Sequence, residues 1–319
     1  MFRALFALIL LAAASATASA QTYPTEQVHL FVGFAAGGST DIIARDLGHE
    51  LEQVWGQPVV VENRPGANGA VAAATLAKAK PDGHTLMMVV SGHITNSQLM
   101  PNLGFDPIKD FAPVSLVASS PLLVFAHPSF PADDIKSLIA LAKAKPGTIS
   151  YATPGTGSIQ HLSLELLSYL AGIKLIHVPY RGGSLALNDV LGGHVPLSVL
   201  SVFQALPYLQ QKQLKALAVT SQKRVDVLPD VPFLAESGVP GYEAALWFGI
   251  IAPPGTPEAV VAKINADVAR IIKSPQMQAR LALQGADAVG SNPAEFTAFM
   301  RAESEKWGRV IKEAHIVAQ

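Results

Sequence analysis

Two glycine-rich stretches hold the residues best suited to gripping an anion. The first is Phe34-Ala35-Ala36-Gly37-Gly38-Ser39-Thr40-Asp41, between the apolar run Val28–Phe34 and the amphipathic run Asp41–Trp55. The spacing predicts a strand, a turn through two glycines and a helix. The first amides of such a helix lack internal partners, and its dipole adds about half a positive charge there. Glycine lets the backbone approach a bound group, and Ser39 and Thr40 add hydroxyls. Phe34, Ala36, Gly37, Gly38, Ser39 and Thr40 are the candidate contacts. The second stretch, Thr153-Pro154-Gly155-Thr156-Gly157-Ser158, precedes the helical run Ile159–Ala171 and adds Thr156, Gly157, Ser158 and His161.

Either stretch alone reads equally as a helix cap, because Ser39, Thr40 and Asp41 are all good capping residues. Asp41 is expected to cap and to pair with Arg45 one turn on. The pairing of the two loops carries the binding reading. In open parallel sheets ligands sit beyond the carboxyl ends of the strands, where both loops would lie. Other chemistries fail on spacing. There is no Gly-x-Gly-x-x-Gly, no Gly-Lys-Ser/Thr and no Gly-x-Ser-x-Gly. The nine His are scattered without His-Glu-x-x-His, and there is no Cys, so neither a metal nor a cofactor is expected. Ser158 and His161 stand three residues apart, as a hydrolase would need, but no third group is placed to orient the base.

The elements that would position these loops alternate. Strand-like Val28–Phe34, Val59–Glu62 and Thr85–Val90 are separated by helical Asp41–Trp55 and Gly69–Lys80. Strands are read at Val114–Val117 and Leu122–His127, then a helix ending at Lys145. The rhythm restarts with strand Ile149–Ala152, helix Ile159–Ala171, strand Leu175–Val178, helix Leu185–Leu191, and strands Val195–Leu200 and Leu214–Thr220. Strand Ala244–Ala252 and a helical tail close the chain. Two β/α blocks imply an α/β fold of two lobes, mostly parallel sheets with flanking helices, joined by two extended crossings. The lobes are read as 21–122 plus 247–319 and 123–246. Ser91, His93, Thr95 and Asn96 follow one strand end, and Ser201 and Gln204 another, so they join the candidates. Trp247 and Phe248 read as core, and Arg181 as a surface residue able to neutralise a second carboxylate.

The 319 residues are 50% hydrophobic and 15% charged, with a formal net charge of -1 and no Lys/Arg run, which excludes a nucleic-acid binder. Arg3, the apolar run Ala4–Ala14 and Ala18-Ser19-Ala20 form a signal-peptide pattern. Residues 1–20 are expected to be removed, leaving a periplasmic protein without a lipid-anchored Cys.

With these residues in place, the chain resembles the Bug family, the extracytoplasmic solute receptors of tripartite tricarboxylate transport systems. The likeness spans nearly all of the mature chain. It rests on the first loop, on Gly56-Gln57-Pro58-Val59-Val60-Val61-Glu62-Asn63-Arg64-Pro65-Gly66 and on Pro81-Asp82-Gly83-His84-Thr85-Leu86. Further matches are Gly155-Thr156-Gly157-Ser158 with His161, His177-Val178-Pro179-Tyr180-Arg181-Gly182, Leu228-Pro229-Asp230-Val231-Pro232 and Ala252-Pro253-Pro254-Gly255-Thr256-Pro257. The resemblance implies a periplasmic binding protein fold of type II with a two-strand hinge. It also implies a small carboxylate ligand held by the two loops, delivery to a membrane permease with large and small subunits, a monomer, and no catalysis. A ligand-sensing subunit of a signalling system has the same implied site. Two positions depart from the family pattern. Gly33 stands where Pro is common, and Pro196 where Asp is common, which disfavours an amino-acid ligand.

Overall fold

The computed structural model describes residues 23–100, 102–283 and 285–316; the signal-peptide pattern lies outside them. The first block runs β1 (Val28–Val32), α1 (Ser39–Trp55), β2 (Val59–Asn63), a 3-10 turn (Ala67–Gly69), α2 (Ala70–Leu76), β3 (Thr85–Val90) and α3 (Gly92–Leu99). The long β4 (Ala112–Ala126) leads to the second block. That block comprises α4 (Ile135–Ala144), β5 (Ser150–Thr153), α5 (Ile159–Ala171), β6 (Ile176–Pro179), α6 (Gly183–Leu191), β7 (Leu197–Ser201), α7 (Val202–Gln210) and β8 (Lys215–Val219). The chain returns through β9 (Ala245–Ala252), α8 (Glu258–Ile272), α9 (Pro275–Leu283), β10 (Asp287–Ala288) and α10 (Pro293–Glu313).

The strand order is β2-β1-β3-β9-β4-β7-β5-β6, with β8 and β10 also paired to β4. β1 is parallel to β2 and β3, and β5 is parallel to β6 and β7. The two parallel groups are bridged by antiparallel β4 and β9. β4 pairs with β9 as far as Pro121 and with β7 from Leu122. One strand thus serves both halves, and the two β-runs read from sequence as separate are one element. Pro121 looked like a stop because it has no N–H to give a ladder. It is tolerated at the point where the strand changes partners.

The helical tail packs on the first half. Trp55 Nε1 donates to Asp267 on α8 at 2.8 Å, and Gln98 Nε2 on α3 donates to the Ser304 carbonyl on α10 at 2.7 Å. Asp267 is buried yet charged, because Lys263 and Arg270 also bind it. β9 alternates as a buried strand must. Leu246 and Phe248 enter one core cluster, while Trp247 meets Phe296 and Phe299 edge-on in another.

Gly249 lies on that strand against Phe296. A β-carbon there would stand 2.2 Å from Phe296 Cζ, and the ring is fully buried and held by Trp247. Gly249→Ala is expected to destabilise the protein by about 1–3 kcal/mol through overpacking. Urea denaturation midpoints check this; an unchanged midpoint would mean that the ring has room to move.

Candidate ligand-binding cleft

The carboxyl ends of β1 and β3 face those of β5 and β7, and helix N-termini converge between them. α1 starts at Ser39, two residues before the sequence-based boundary, with Gly38 as its cap. Ser39 and Thr40 therefore belong to the first turn, where their amides lack intrahelical partners. α3 begins at Gly92, α5 at Ile159 behind its cap Ser158, α6 at Gly183 and α7 at Val202 behind Ser201.

They converge on a cavity lined by Phe34, Gly38, Ser39, Thr40, Asn68, Val90, Gly92, Pro154, Ser158, Ile159, Gln160, Gly183, Gln204 and Leu246. No Asp, Glu, Lys or Arg is among these residues, so any attraction for an anion comes from backbone dipoles and neutral donors. A second, larger cavity of about 240 Å³ shares Phe34, Asn68 and Pro154 and extends past Thr156 to Arg181, which is exposed at its edge. Among the described residues, three hydrogen bonds cross the cleft. Thr95 Oγ1 donates to the Gly157 carbonyl at 2.7 Å, Ser184 Oγ to the Ala36 carbonyl at 3.0 Å, and the Ala35 N–H to the Arg181 carbonyl at 3.2 Å. The halves are closed on each other.

Of the candidates named from sequence, Phe34, Gly38, Ser39, Thr40, Ser158 and Gln204 line the first cavity, and Thr156 the second. Gln204 Nε2 is buried without a protein partner, as are the hydroxyls of Ser91 and Ser201. The other candidates stand elsewhere. Ala36 is exposed at the rim. The Gly37 N–H is taken by Asp41 Oδ2 at 2.9 Å. Asp41 also binds Arg45 and Asn63, and although burial opposes its charge these partners hold its carboxyl below the usual range. Asp41 thus shapes the loop.

His93, named as a cleft candidate for its place after β3, belongs to α3. Its Nε2 lies 2.8 Å from the Pro107 carbonyl, and its ring packs on Phe105 and Phe111, away from the cleft. Burial lowers its pKa to about 4. Asn96 is buried behind Asn68, whose amide it binds. The Gly157 N–H donates to His161 Nδ1 at 3.2 Å, so it is turned inward, and the His161 ring stacks on His177 at 4.0 Å.

These contacts dissolve the hydrolase geometry. The Ser158 hydroxyl donates to the Gly155 carbonyl at 2.7 Å and accepts the His161 backbone N–H at 3.2 Å. No hydrogen bond links it to the His161 ring, whose Nδ1 already serves Gly157. The sequence reading missed Asn68, Val90, Gly92, Pro154, Ile159, Gln160, Gly183 and Leu246 as lining residues. Asn68 had a usable signal, because Pro65-Gly66-Ala67-Asn68-Gly69 is dense in turn formers and directly precedes a helix.

Two α/β halves, a shared pair of antiparallel strands and a closed cleft of helix N-termini define a two-lobed solute-binding protein of the periplasmic binding protein class. The sequence profile of the tripartite tricarboxylate transporter family receptor matches residues 43–316, and the chain belongs to that family. Protein BugT of Bordetella pertussis is 35% identical over 301 residues, covering 94% of this chain and 92% of that one. The structure of R. palustris Rpa4515 with adipate superposes with a TM-score of 0.90 at 36% identity, covering 92% and 99% of the two chains. MatC from Rhodopseudomonas palustris with bound malate gives 0.87 at 34%, covering 91% and 100%.

Proposed function

We propose that this chain captures a small di- or tricarboxylate or aromatic acid in the periplasm and delivers it to a permease of large and small membrane subunits. On this reading residues 1–20 are cleaved off, and the mature protein works as a monomer without catalysis. Segments 21–122 plus 247–319 and 123–246 close as the two lobes about β4 and β9. The observation that carries the reading is the convergence of five helix N-termini on a cavity without a charged side chain. Such a site holds an anion by amides and hydroxyls and offers a cation no counter-charge. Adipate and malate, bound by the two R. palustris relatives, are the natural first probes.

Ligand that binds only the folded state stabilises by mass action. Protein unfolded, dialysed and refolded is expected to melt several degrees higher with a fitting acid at about a hundred times its Kd. The panel is adipate, malate, succinate, citrate and benzoate. No shift with any of them, on protein shown to be folded, would overturn the proposal.

A further inference from the structure

From Gly66 to Gly69 the chain passes through four consecutive positive φ angles, 145°, 46°, 50° and 87°. Ala67 and Asn68 carry β-carbons, and the left-handed region disfavours such residues, alanine more than asparagine. Strain of this kind persists only where the surroundings enforce it. Here Asn96 does so. Its Nδ2 donates to the Asn68 carbonyl at 3.1 Å and approaches the Ala67 carbonyl at 3.4 Å.

Those two carbonyls fix which way the Asn96 amide points. Its nitrogen faces them, so its oxygen must receive the Asn68 Nδ2, at 2.9 Å. Flipping Asn68 would set two oxygens face to face. The Asn68 Oδ1 is therefore the free end of the chain of amides. It has no protein donor, although Asn68 is only 8% exposed, and the residue lines both cavities. Its amide lies flat on Gly92, where a β-carbon would come within 2.4 Å of Nδ2 and 2.7 Å of Oδ1.

The cleft otherwise offers an anion donors. A fixed, buried acceptor calls for a donor on the ligand. No Asp or Glu lines either cavity, so an ammonium group would find no counter-charge, whereas a hydroxyl needs none. We propose that Asn68 Oδ1 accepts a hydrogen bond from a hydroxyl of the ligand, so that the site prefers a hydroxycarboxylate to the same acid lacking the hydroxyl or bearing an amine. This rests on the carboxylate reading above.

The test is calorimetric titration of the refolded full chain, its Asn68→Gly variant and its Asn68→Asp variant. The probes are matched acids: succinate, malate and aspartate; glutarate, 2-hydroxyglutarate and glutamate; benzoate and the hydroxybenzoates. Glycine suits the left-handed backbone; aspartate has the same size and adds charge, at the cost of an oxygen facing Asn96 Oδ1 where Asn68 Nδ2 donated, so its folding is checked by its melting temperature. In the wild type, the hydroxy member of the series that fits is expected to bind about tenfold or more tighter than its parent. Asn68→Gly should bring that ratio to about one, and Asn68→Asp should turn the preference toward the amine; a merely structural role for Asn68 would move neither ratio. Equal binding of hydroxy and parent acids by the wild type, or a ratio that persists in Asn68→Gly, overturns the assignment while leaving the carboxylate site standing. Failure of every acid to bind overturns both.

Discussion

Lowering the pH from 7 toward 4 is expected to remove several kcal/mol of folding stability, most of it before the carboxylates begin to titrate. His93, His161 and His177 are all buried. Burial lowers His93 and His161 to about 4; burial, with the neighbouring His161, lowers His177 to about 3. In an unfolded chain each would titrate near 6.5. Between about pH 6.5 and 4 the unfolded state therefore binds more protons than the native one, and stability falls as pH falls. Loss is complete only below the native values. Three such groups amount to on the order of several kcal/mol, a large share of the about 5–15 kcal/mol that holds a domain folded. Aspartates held low by their partners, such as Asp41 and Asp267, act in the same direction, but only once the pH approaches the ordinary carboxylate range.

The His161–His177 pair links this acid sensitivity to the cleft. A proton on His161 Nδ1 would confront the Gly157 N–H, donor against donor, in the second glycine loop. Glu165 lies 4.0 Å from His161 Nε2 and accepts the Tyr151 hydroxyl at 2.6 Å, so it makes no close ion pair with the ring. Urea unfolding at pH 7, 6, 5 and 4.5 measures the slope. His177→Phe keeps an aromatic ring between Tyr151 and His161 and should flatten it. A wild-type slope of zero over that range, or one untouched by His177→Phe, would sink the account.

The architecture was legible because its periods are strong. β1, β3, α1, α5 and α8 carry apolar residues at the spacing their structure needs, and turn formers bound most of them. The elements that escaped have weak or misleading patterns. α3, Gly-His-Ile-Thr-Asn-Ser-Gln-Leu, shows no apolar stripe; its polar side chains instead bond to α10, to the Pro107 carbonyl and across the cleft to Gly157. α7 carries Pro207, which reads as a break. In the site, the glycine loops announced where an anion could sit. Spacing alone could not say which amides were already taken. Gly37 and Gly157 look like ideal donors, yet Asp41 and His161 occupy both. That assignment depends on side chains one turn along each helix and on their rotamers. Asn68 was hidden for a similar reason, since its orphan oxygen is defined by Asn96, 28 positions away.

If the cleft binds through backbone amides, filling it without touching a charged group should abolish binding. Gly183→Leu is the substitution that separates this from misfolding. Gly183 is the first residue of α6, and its φ lies outside the left-handed region, so leucine meets no backbone strain. A β-carbon there would stand 2.6 Å from Gln204 Oε1 and 3.1 Å from its Nε2, the far end of a flexible side chain that can swing aside. The rest of the leucine would occupy the cavity that Gly183 and Gln204 line together with Gly38 and Thr40. Excluding a carboxylate from two charge-assisted hydrogen bonds, at about 1.5 kcal/mol each, costs about a hundredfold or more in Kd. The expected result is a variant that melts within a few degrees of the wild type but shows no heat of binding with the acid that shifts the wild-type melting temperature. Removing the Ser158 hydroxyl is a poorer test, because that group caps α5 and its loss disturbs the loop as well. A folded Gly183→Leu protein that binds within about threefold of wild type, a difference under 1 kcal/mol, would place the ligand elsewhere. The second cavity, beside Arg181, would then be the region to probe.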